Sequence, residues 1–502
     1  MIDERNAHYW HARGRELHEQ GQLQAAEEAY LLALKQEPNR LLTLNNLAVL
    51  CIRQGRIEEA KKQLDKGLIE AGKLWNQSPN ESLAVEWALI LNARSQIAID
   101  GNDFKEALRW SKIGLKLKPQ GAGLSTHSVA LGGLNRHEQA ARSQKIGLAR
   151  HGLDGPINSF VGKQLTTPYE SAQLHTEICN LASSILRKNP LDRDAWALMI
   201  ARLGMDEVVW QQPVLPWQQL WEGEQVDKLV IWDEQGFGDA IQCLRWIPNA
   251  CKKANHVTLL IRPSLLKLIK ERLQLPGNCN VNPRQQGGLP QEVDTSHCPL
   301  MALPVALYPA GSTLNPQPND SLDTILKSKR SITDSGQHRA HSTLRIGLVW
   351  AAGRKKHRDS NRSAQLRCIP AETLLSHAIN WAERWDLELF SLQLGEEANA
   401  SETLQMRGKI KQLPKGGDWL ETAEIVEQLD LVITVDTAMV HLAGSLGIPC
   451  LMLLNHICDW RWFINKKVIP WYPTLKILQA EELDSWEKQL CKAECFIENI
   501  VR

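Results

Sequence analysis

Three polar residues stand where an apolar run meets a helical pattern, in the stretch LVITVDTAMVH (431–441). Asp436 ends the run, Thr437 is a residue type that caps helices, and His441 follows about one turn later. The free N–H groups at the start of a helix attract anions, so this stretch predicts a site for a phosphate or diphosphate. Ala438 is small, which lets the helix pack closely against a sheet. The alternative is that Asp436 and His441 form a capping pair with no ligand.

A second stretch, DEQGFGD (233–239), follows the apolar run KLVIW. Gly236 and Gly238 allow the backbone to come close to a ligand. Asp239 falls in the first turn of the next helix, where a carboxylate can accept a proton as a general base or merely favour the helix start. A dinucleotide-binding turn would need a third glycine at position 241, which is isoleucine, so a nicotinamide site is disfavoured.

Both stretches belong to a region in which strand-like and helical patterns alternate. One alternating unit begins at Lys228, and a second begins with LRIGLVW at Leu344. Alternation of this kind predicts two parallel sheets in series, with a cleft at the carboxyl ends of their strands. Asp239 and Asp436 each follow a predicted strand, so we expect both to face that cleft.

The N-terminal third contains a repeat of 34 residues. A window that starts at Ala7 carries the tetratricopeptide pattern, and further windows start at Leu41 and Ala88, with a fourth centred on LNRHEQAARSQKIGL. The pattern residues of the first window are Trp10, Gly14, Ala26, Tyr30, Ala33 and Pro38. Neighbouring helix pairs of such a repeat bury each other's apolar faces in a solenoid. The concave face of a solenoid binds a partner protein or an acceptor substrate.

The predicted fold class is therefore α + α/β, an N-terminal tetratricopeptide α-solenoid followed by two Rossmann-like units. We place the solenoid at 1–155, a helical connector at 156–225, the first α/β domain at 226–340 and the second at 341–502. The break at QQPVLPWQQLWEGEQ separates the connector from the first α/β domain.

Composition excludes several classes of function. A formal net charge of +1 is unlike that of a nucleic-acid-binding protein. The N-terminus lacks the apolar core of a signal peptide, and no stretch reaches the ~20 apolar residues that span a bilayer. Eleven scattered cysteines fit neither a disulfide framework nor a zinc site. We expect a cytoplasmic protein with no membrane span, no nucleic-acid partner and no metal.

Three stretches together resemble glycosyltransferase family 9, the heptosyltransferase-like enzymes. They are DEQGFGDAIQCLRWIP, RIGLVWAAGRKKHRDSNRSAQL, and LDLVITVDTAMVHLAGSLGIPCLMLL with DWRWF shortly after it. The arrangement behind tetratricopeptide repeats is also similar to that of O-GlcNAc transferase. The resemblance implies a GT-B fold, in which two Rossmann-like domains close over a nucleotide-sugar donor without a metal or another cofactor.

The resemblance also implies roles for individual residues. Asp239 matches the general base, and Asp436, Thr437 and His441 match the donor-binding residues. In the basic loop GRKKHRDSNRS, the candidate cations for the leaving diphosphate are Lys355, Lys356 and Arg362, unless the loop is simply solvated. We therefore expect an inverting glycosyltransferase whose acceptor is a protein, a glycan or a lipid-linked saccharide.

Two rival functions remain open at this stage. One is an inactive scaffold whose solenoid binds other proteins, although retention of Asp239 argues against it. The other is a nucleotide-sugar epimerase of the hydrolysing GT-B type, which would turn over without an acceptor.

Overall fold

The computed structural model forms two compact units, Met1–Pro156 and Ile157–Arg502. It describes residues 6–118, 121–149, 168–204, 220–284, 295–316, 325–328, 343–353, 365–399, 409–412, 418–462 and 471–501. The domain limits inferred from the sequence remain a prediction. In the part of the chain that is described, no helix is both long and apolar enough to cross a membrane.

The N-terminal unit consists of four consecutive helix pairs. The pairs are Ala7–Glu19 with Leu23–Gln36, Leu41–Arg53 with Ile57–Gln77, Glu81–Asp100 with Phe104–Leu117, and Gly121–Gly133 with His137–Ala149. Each pair turns through one residue with positive φ: Gly21 (76°), Gly55 (81°), Asn102 (61°) and Asn135 (57°). Glycine and asparagine are the residues that adopt this left-handed conformation most readily, which explains their place at the turns.

Small residues allow the helices of this unit to approach one another. The fourth residue of the second helix is a fully buried alanine in every pair, at Ala26, Ala60, Ala107 and Ala140. A Cβ built on Gly14 would lie 2.6 Å from the Tyr30 ring, so the glycine and the aromatic residue of the repeat pattern fit together directly. The predicted helical repeat is confirmed.

The second unit begins with the connector helices, which pack into its α/β part. These are Pro168–Leu186, Arg193–Leu198 and a 3-10 turn at Met199–Gly204. Arg193 donates hydrogen bonds to the carbonyl oxygens of Val305 (2.7 Å) and Tyr308 (3.0 Å). The Trp196 ring lies edge-on to Trp246, with 5.7 Å between centroids. The connector is thus an integral layer of this unit.

The first sheet has four parallel strands in the order β3-β2-β1-β4. The strands are β1 Val226–Trp232, β2 Ala254–Ile261, β3 Cys279–Pro283 and β4 Ser296–Pro299. The helices of this half are Phe237–Cys243, Ile247–Cys251, Pro263–Arg272 and Leu303–Leu307. The stretch AIQCLRWIPNACKKA has the apolar spacing of one helix, but a 3-10 turn at Leu244–Trp246 interrupts it just before Pro248, because proline cannot donate the next helical hydrogen bond.

The second sheet has six parallel strands in the order β10-β9-β8-β5-β6-β7. They are β5 Leu344–Val349, β6 Leu387–Ser391, β7 Ile410–Gln412, β8 Leu431–Val435, β9 Cys450–Leu454 and β10 Leu475–Gln479. Its helices are Ala371–Arg384, Trp419–Val426, Ala438–Ser445 and Glu487–Val501. Trp350, Trp381 and Leu490 are buried at the centre of its core.

The strand order reverses beside β1 in the first sheet and between β5 and β8 in the second. Ligands of open parallel sheets bind at such reversals, beyond the carboxyl ends of the strands. The stretch 233–239 leaves β1, and the stretch 436–441 leaves β8, so both predicted stretches lie at a reversal. The predicted fold class, a helical solenoid followed by two parallel α/β sheets, is confirmed.

Ion pairs join the two sheet halves of the second unit. Arg272 of the first half pairs with Glu427 of the second, both nearly inaccessible to solvent, at 3.2 Å from each guanidinium nitrogen. Lys267 pairs with Asp418 at 2.8 Å. These contacts join the Pro263–Arg272 helix of the first half to the two ends of the Trp419–Val426 helix of the second.

Candidate functional site

The helix after β8 begins at the predicted cap. Thr437 is the N-cap of the Ala438–Ser445 helix, and its hydroxyl accepts a hydrogen bond from the Met439 N–H at 3.3 Å. The hydroxyl also lies 3.1 Å from that of Thr434 at the end of the strand. This cap satisfies one N–H of the first turn and fixes the direction in which the helix leaves the sheet.

Asp436 is a buried carboxyl group with few hydrogen-bond donors around it. Its side chain is 5% exposed, and burial raises its pKa, while Arg367 and Trp462 act in the opposite direction. In the described part of the chain, no donor meets Oδ2 with regular hydrogen-bond geometry. Arg367 donates to the backbone carbonyl of Asp436 at 3.4 Å. A buried acceptor of this kind can take a hydrogen bond from a ligand hydroxyl or N–H.

His441 is a neutral imidazole held by a tyrosine. Its Nδ1 lies 2.8 Å from the Tyr472 hydroxyl. Burial and, to a smaller extent, the charge of Arg461 together lower the pKa of His441 to about 3. The ring is therefore uncharged at neutral pH, and its hydrogen bond goes to Tyr472.

The turn after β1 meets this helix start. Gln235 has a φ of 63°, and Gly236 is the N-cap of the Phe237–Cys243 helix. A Cβ built on Gly238 would lie 2.5 Å from Cδ2 of His441 and 3.4 Å from the Ala438 Cα. The missing side chain of Gly238 is thus what lets the two helix starts touch.

Asp239 fills two roles in this turn. Its Oδ2 accepts a hydrogen bond from the Gly236 N–H at 2.8 Å, as expected of an acidic residue that closes the first turn of a helix. Its Oδ1 accepts a hydrogen bond from Arg461 of the other half. Asp239 therefore does cap the helix through Oδ2. Its other oxygen, Oδ1, faces the site between the two halves.

The two other carboxylates of the turn are engaged within the first half and its connector. Asp233 pairs with Arg262 and Arg284. Glu234 pairs with Arg202 of the connector and accepts the Met301 N–H at 3.2 Å. Both are fully buried. They hold the turn in place, whereas Asp239 faces the second half.

Arg461 was not among the residues that the sequence pattern singled out. Its guanidinium donates to Asp459 at 2.7 Å and to Asp239, and it lies 4.2 Å above the Trp460 ring. Burial opposes its charge, but the net effect of Asp239, Asp459 and Asp436 is to raise its pKa. Two tryptophans flank it in the stretch DWRWF, and tryptophans at such a place either stack on a nucleotide base or, more commonly, are buried aromatics. Trp460 and Trp462 are in fact buried, at 5% and 0% exposure.

Arg245 is a second arginine that the sequence did not indicate. It donates a hydrogen bond to the Pro316 carbonyl oxygen of the first half (2.7 Å) and another to the Trp471 carbonyl oxygen of the second half (3.1 Å). Its guanidinium lies 5.1 Å from the centre of the Tyr472 ring. Because Tyr472 holds His441, Arg245 fixes the imidazole indirectly.

The predicted cations of the basic loop, Lys355, Lys356 and Arg362, lie outside the described residues. Arg367, five positions after Arg362, is the described cation that follows the loop and reaches Asp436. Within the described residues, no group of three or more His, Cys, Asp or Glu side chains is placed to hold a metal ion.

The assembled site combines four kinds of group at the junction of two parallel sheets. A carboxylate (Asp239), a permanent cation (Arg461), a buried acceptor (Asp436) and a neutral imidazole (His441) surround the start of one helix. Such a set can bind an anionic group and accept a proton beside it.

The N-terminal repeats match a known repeat family. Residues 17–76 match the family model of the tetratricopeptide repeat. The predicted repeat family of the N-terminal unit is confirmed. The chain is also similar to a thermophilic tetratricopeptide-repeat protein of Thermus thermophilus, with 19% identity, a TM-score of 0.28, and coverage of 40% of this chain and 92% of that chain.

Other solved structures similar to the chain are glycosyltransferases. The ADP-heptose LPS heptosyltransferase II of E. coli has 10% identity and a TM-score of 0.37 over 55% of this chain and 98% of its own. The family 9 glycosyltransferase of Veillonella parvula has 11% identity and a TM-score of 0.35 over 55% of this chain and 91% of its own. No curated protein matches the chain.

Proposed function

We propose that the chain is an inverting, metal-independent glycosyltransferase that moves a sugar from a nucleotide-sugar donor to an acceptor hydroxyl. The observation that supports this proposal is the contact between Asp239, in the turn after β1, and Arg461, in the segment after β9, because it joins a candidate base to a candidate diphosphate cation. The resemblance of three sequence stretches to glycosyltransferase family 9 supports it.

The chemistry of the transfer assigns Asp239 the role of base. An acceptor hydroxyl has a pKa far above 7 and needs a partner that takes its proton as its oxygen attacks the anomeric carbon. As the new C–O bond forms, the bond between the sugar and the diphosphate breaks, and the nucleoside diphosphate leaves with the electron pair. Attack from the face opposite the leaving group inverts the anomeric centre.

The leaving diphosphate requires positive charge and oriented donors. The first turn of the Ala438–Ser445 helix offers backbone N–H groups behind the Thr437 cap, and the charges of Arg367 and Arg461 both act on Asp436. These groups can stabilise the negative charge that develops on the leaving oxygen without a metal ion. Lys355, Lys356 and Arg362 remain proposed further cations. Asp436 and His441 would hold the donor beyond its phosphates.

The solenoid is proposed to bind the partner or the acceptor. An array of helix pairs with a continuous surface binds a protein partner or the acceptor itself. The acceptor would be a protein, a glycan or a lipid-linked saccharide, and the reaction would take place in the cytoplasm.

Release of nucleoside diphosphate that depends on an acceptor tests this function. The purified chain is incubated in EDTA with radiolabelled UDP-, GDP- and ADP-sugars, with and without a fractionated extract as the source of acceptor. Transfer of label to one fraction, lost in Asp239→Asn, is the expected result. Turnover of donor without any acceptor would instead indicate an epimerase or hydrolase, and no turnover with any donor would favour the scaffold.

A further inference from the structure

Arg461 connects the donor side of the site to the candidate base. It belongs to the segment that follows β9, in the second half of the unit, and its partner Asp239 lies 222 positions earlier in the chain, in the first half. Its other partner, Asp459, lies beside it: the Asp459 Oδ1 accepts hydrogen bonds from the Arg461 backbone N–H (3.0 Å) and from Nη1 (2.7 Å). The arginine is thus anchored in its own half and extends one nitrogen to the other.

The guanidinium of Arg461 is largely enclosed by its neighbours. Its side chain is 13% exposed, the Trp460 ring covers one face at 4.2 Å, and Asp239 is 17% exposed. Burying a cation without an anionic partner is costly, so this guanidinium is stabilised by the anions beside it. Asp239 is its partner in the other half of the unit, and Asp459 is its partner in its own half.

We infer that Arg461 exchanges Asp239 for the diphosphate of the donor, so that the base becomes available only after the donor has bound. This inference rests on the proposed function. No covalent bond changes in the exchange: the guanidinium moves from a carboxylate to phosphate oxygens, for which its planar fork is equally suited. Asp239, released from the cation, keeps its hydrogen bond to the Gly236 N–H and can then accept a proton from the acceptor hydroxyl.

The exchange has a consequence that a purely structural ion pair does not share. If Asp239 competes with phosphate for Arg461, the apparent affinity for a nucleoside diphosphate is reduced by the fraction of time for which the arginine is paired. Removing the carboxylate charge should then tighten binding of the diphosphate. A pair that only holds the two halves together predicts the opposite, because its loss would loosen the site.

Isothermal calorimetry on the full chain tests the exchange. The probes are UDP, GDP and ADP together with uridine, guanosine and adenosine, and the variants are Asp239→Asn, Arg461→Lys and the control Asp227→Asn, an exposed aspartate at the start of β1. For the base that the wild type prefers, we expect Asp239→Asn to bind the diphosphate on the order of tenfold more tightly, with the nucleoside unchanged. Arg461→Lys should weaken the diphosphate alone, also by about tenfold, and Asp227→Asn should match the wild type.

The outcomes separate the inference from the function on which it rests. A wild type that binds no diphosphate contradicts both. A wild type that binds one, together with an Asp239→Asn variant whose affinity is unchanged or weaker, contradicts the exchange and leaves the transferase proposal standing. The affinity of Asp239→Asn for the diphosphate is enough to test the exchange, so the test remains even if Arg461→Lys fails to fold.

Discussion

Gly238 and His441 lie in contact across the two sheet halves, so closely that a Cβ on the glycine would come within 2.5 Å of the imidazole Cδ2. Each residue belongs to a helix that starts at a reversal of strand order. The contact brings the Asp239 turn and the Asp436 turn together, and it depends on a position that has no side chain.

A methyl group at position 238 should therefore force the helix starts apart. We expect Gly238→Ala to lower the free energy of unfolding by about 1–3 kcal/mol, the usual cost of overpacking a close contact, and to reduce turnover as well. Thermal unfolding and the acceptor-dependent assay measure the two effects. Gly277→Ala is the matched control, because a Cβ there meets no atom within 4 Å. If both variants melt alike, the contact is not tight in solution.

Asp239→Asn should remove most of the turnover and leave the fold intact. The amide oxygen can still accept the Gly236 N–H, but the amide cannot take a proton, so we expect a loss of about 10²–10⁴ in rate. The measurement is kcat for the cognate donor and acceptor, with unfolding curves recorded alongside. Asp227→Asn should retain the wild-type rate. An Asp239→Asn enzyme with unaltered kcat would show that Asp239 serves only as a helix cap.

His441 should make the protein sensitive to acid. The folded-state pKa is lowered to about 3 from the ordinary 6.5, so the unfolded chain takes up a proton at this residue while the folded chain does not. Its contribution is complete above pH 6.5 and is lost as the pH falls from there toward 3. By pH 5 the loss should be on the order of 2 kcal/mol. The charged or titratable groups around the ring are Arg461, Asp239, Arg245, Asp459 and Tyr472.

Urea unfolding at pH 8 and at pH 5 measures this loss. His441→Gln keeps a polar partner for Tyr472 but does not titrate, so the difference between the two pH values should shrink in the variant. An equal difference in the variant and the wild type would place the acid sensitivity on other groups.

The solenoid makes a paired prediction about two glycines. Gly14→Ala should destabilise the N-terminal unit by about 1–3 kcal/mol, because the added Cβ meets the Tyr30 ring at 2.6 Å. Gly72→Ala, in the Ile57–Gln77 helix, meets no atom within 4 Å and should stabilise by about 0.5–1 kcal/mol through helix propensity. Unfolding curves of the two variants of the full chain test the pair. Changes of the same sign would contradict the packing.

The central strands of both sheets were predictable from the sequence, and the edge strands were not. The unpredicted strands β3, β4, β7 and β10 are the outermost strands of their sheets. A central strand is buried on both faces and therefore reads as a continuous apolar run, as in β8. The edge strand β7 offers no such run, because it has three residues and two of them are exposed.

The candidate site divides in the same way. Asp239, Asp436 and Thr437 were predictable because they follow buried strands, where the fold places ligands. Arg461 and Arg245 were not, since each works through partners more than 200 positions away, such as Asp239 for Arg461 and Trp471 for Arg245. Contacts between residues so far apart in the chain leave no pattern in the local sequence. The local sequence predicts which residues lie at the strand ends, but it does not predict which arginine contacts them.

The central claim is that the second unit holds a nucleotide-sugar donor without a metal, and one calorimetric screen tests it most directly. The full chain is titrated in EDTA with UDP, GDP, ADP, CMP and their sugars, and Asp436→Ala serves as the site variant. We predict that one base is bound and that Asp436→Ala weakens its binding, because Asp436 is the buried acceptor at the start of the donor helix. If no nucleotide binds at millimolar concentration while circular dichroism shows the fold intact, the transferase account is contradicted.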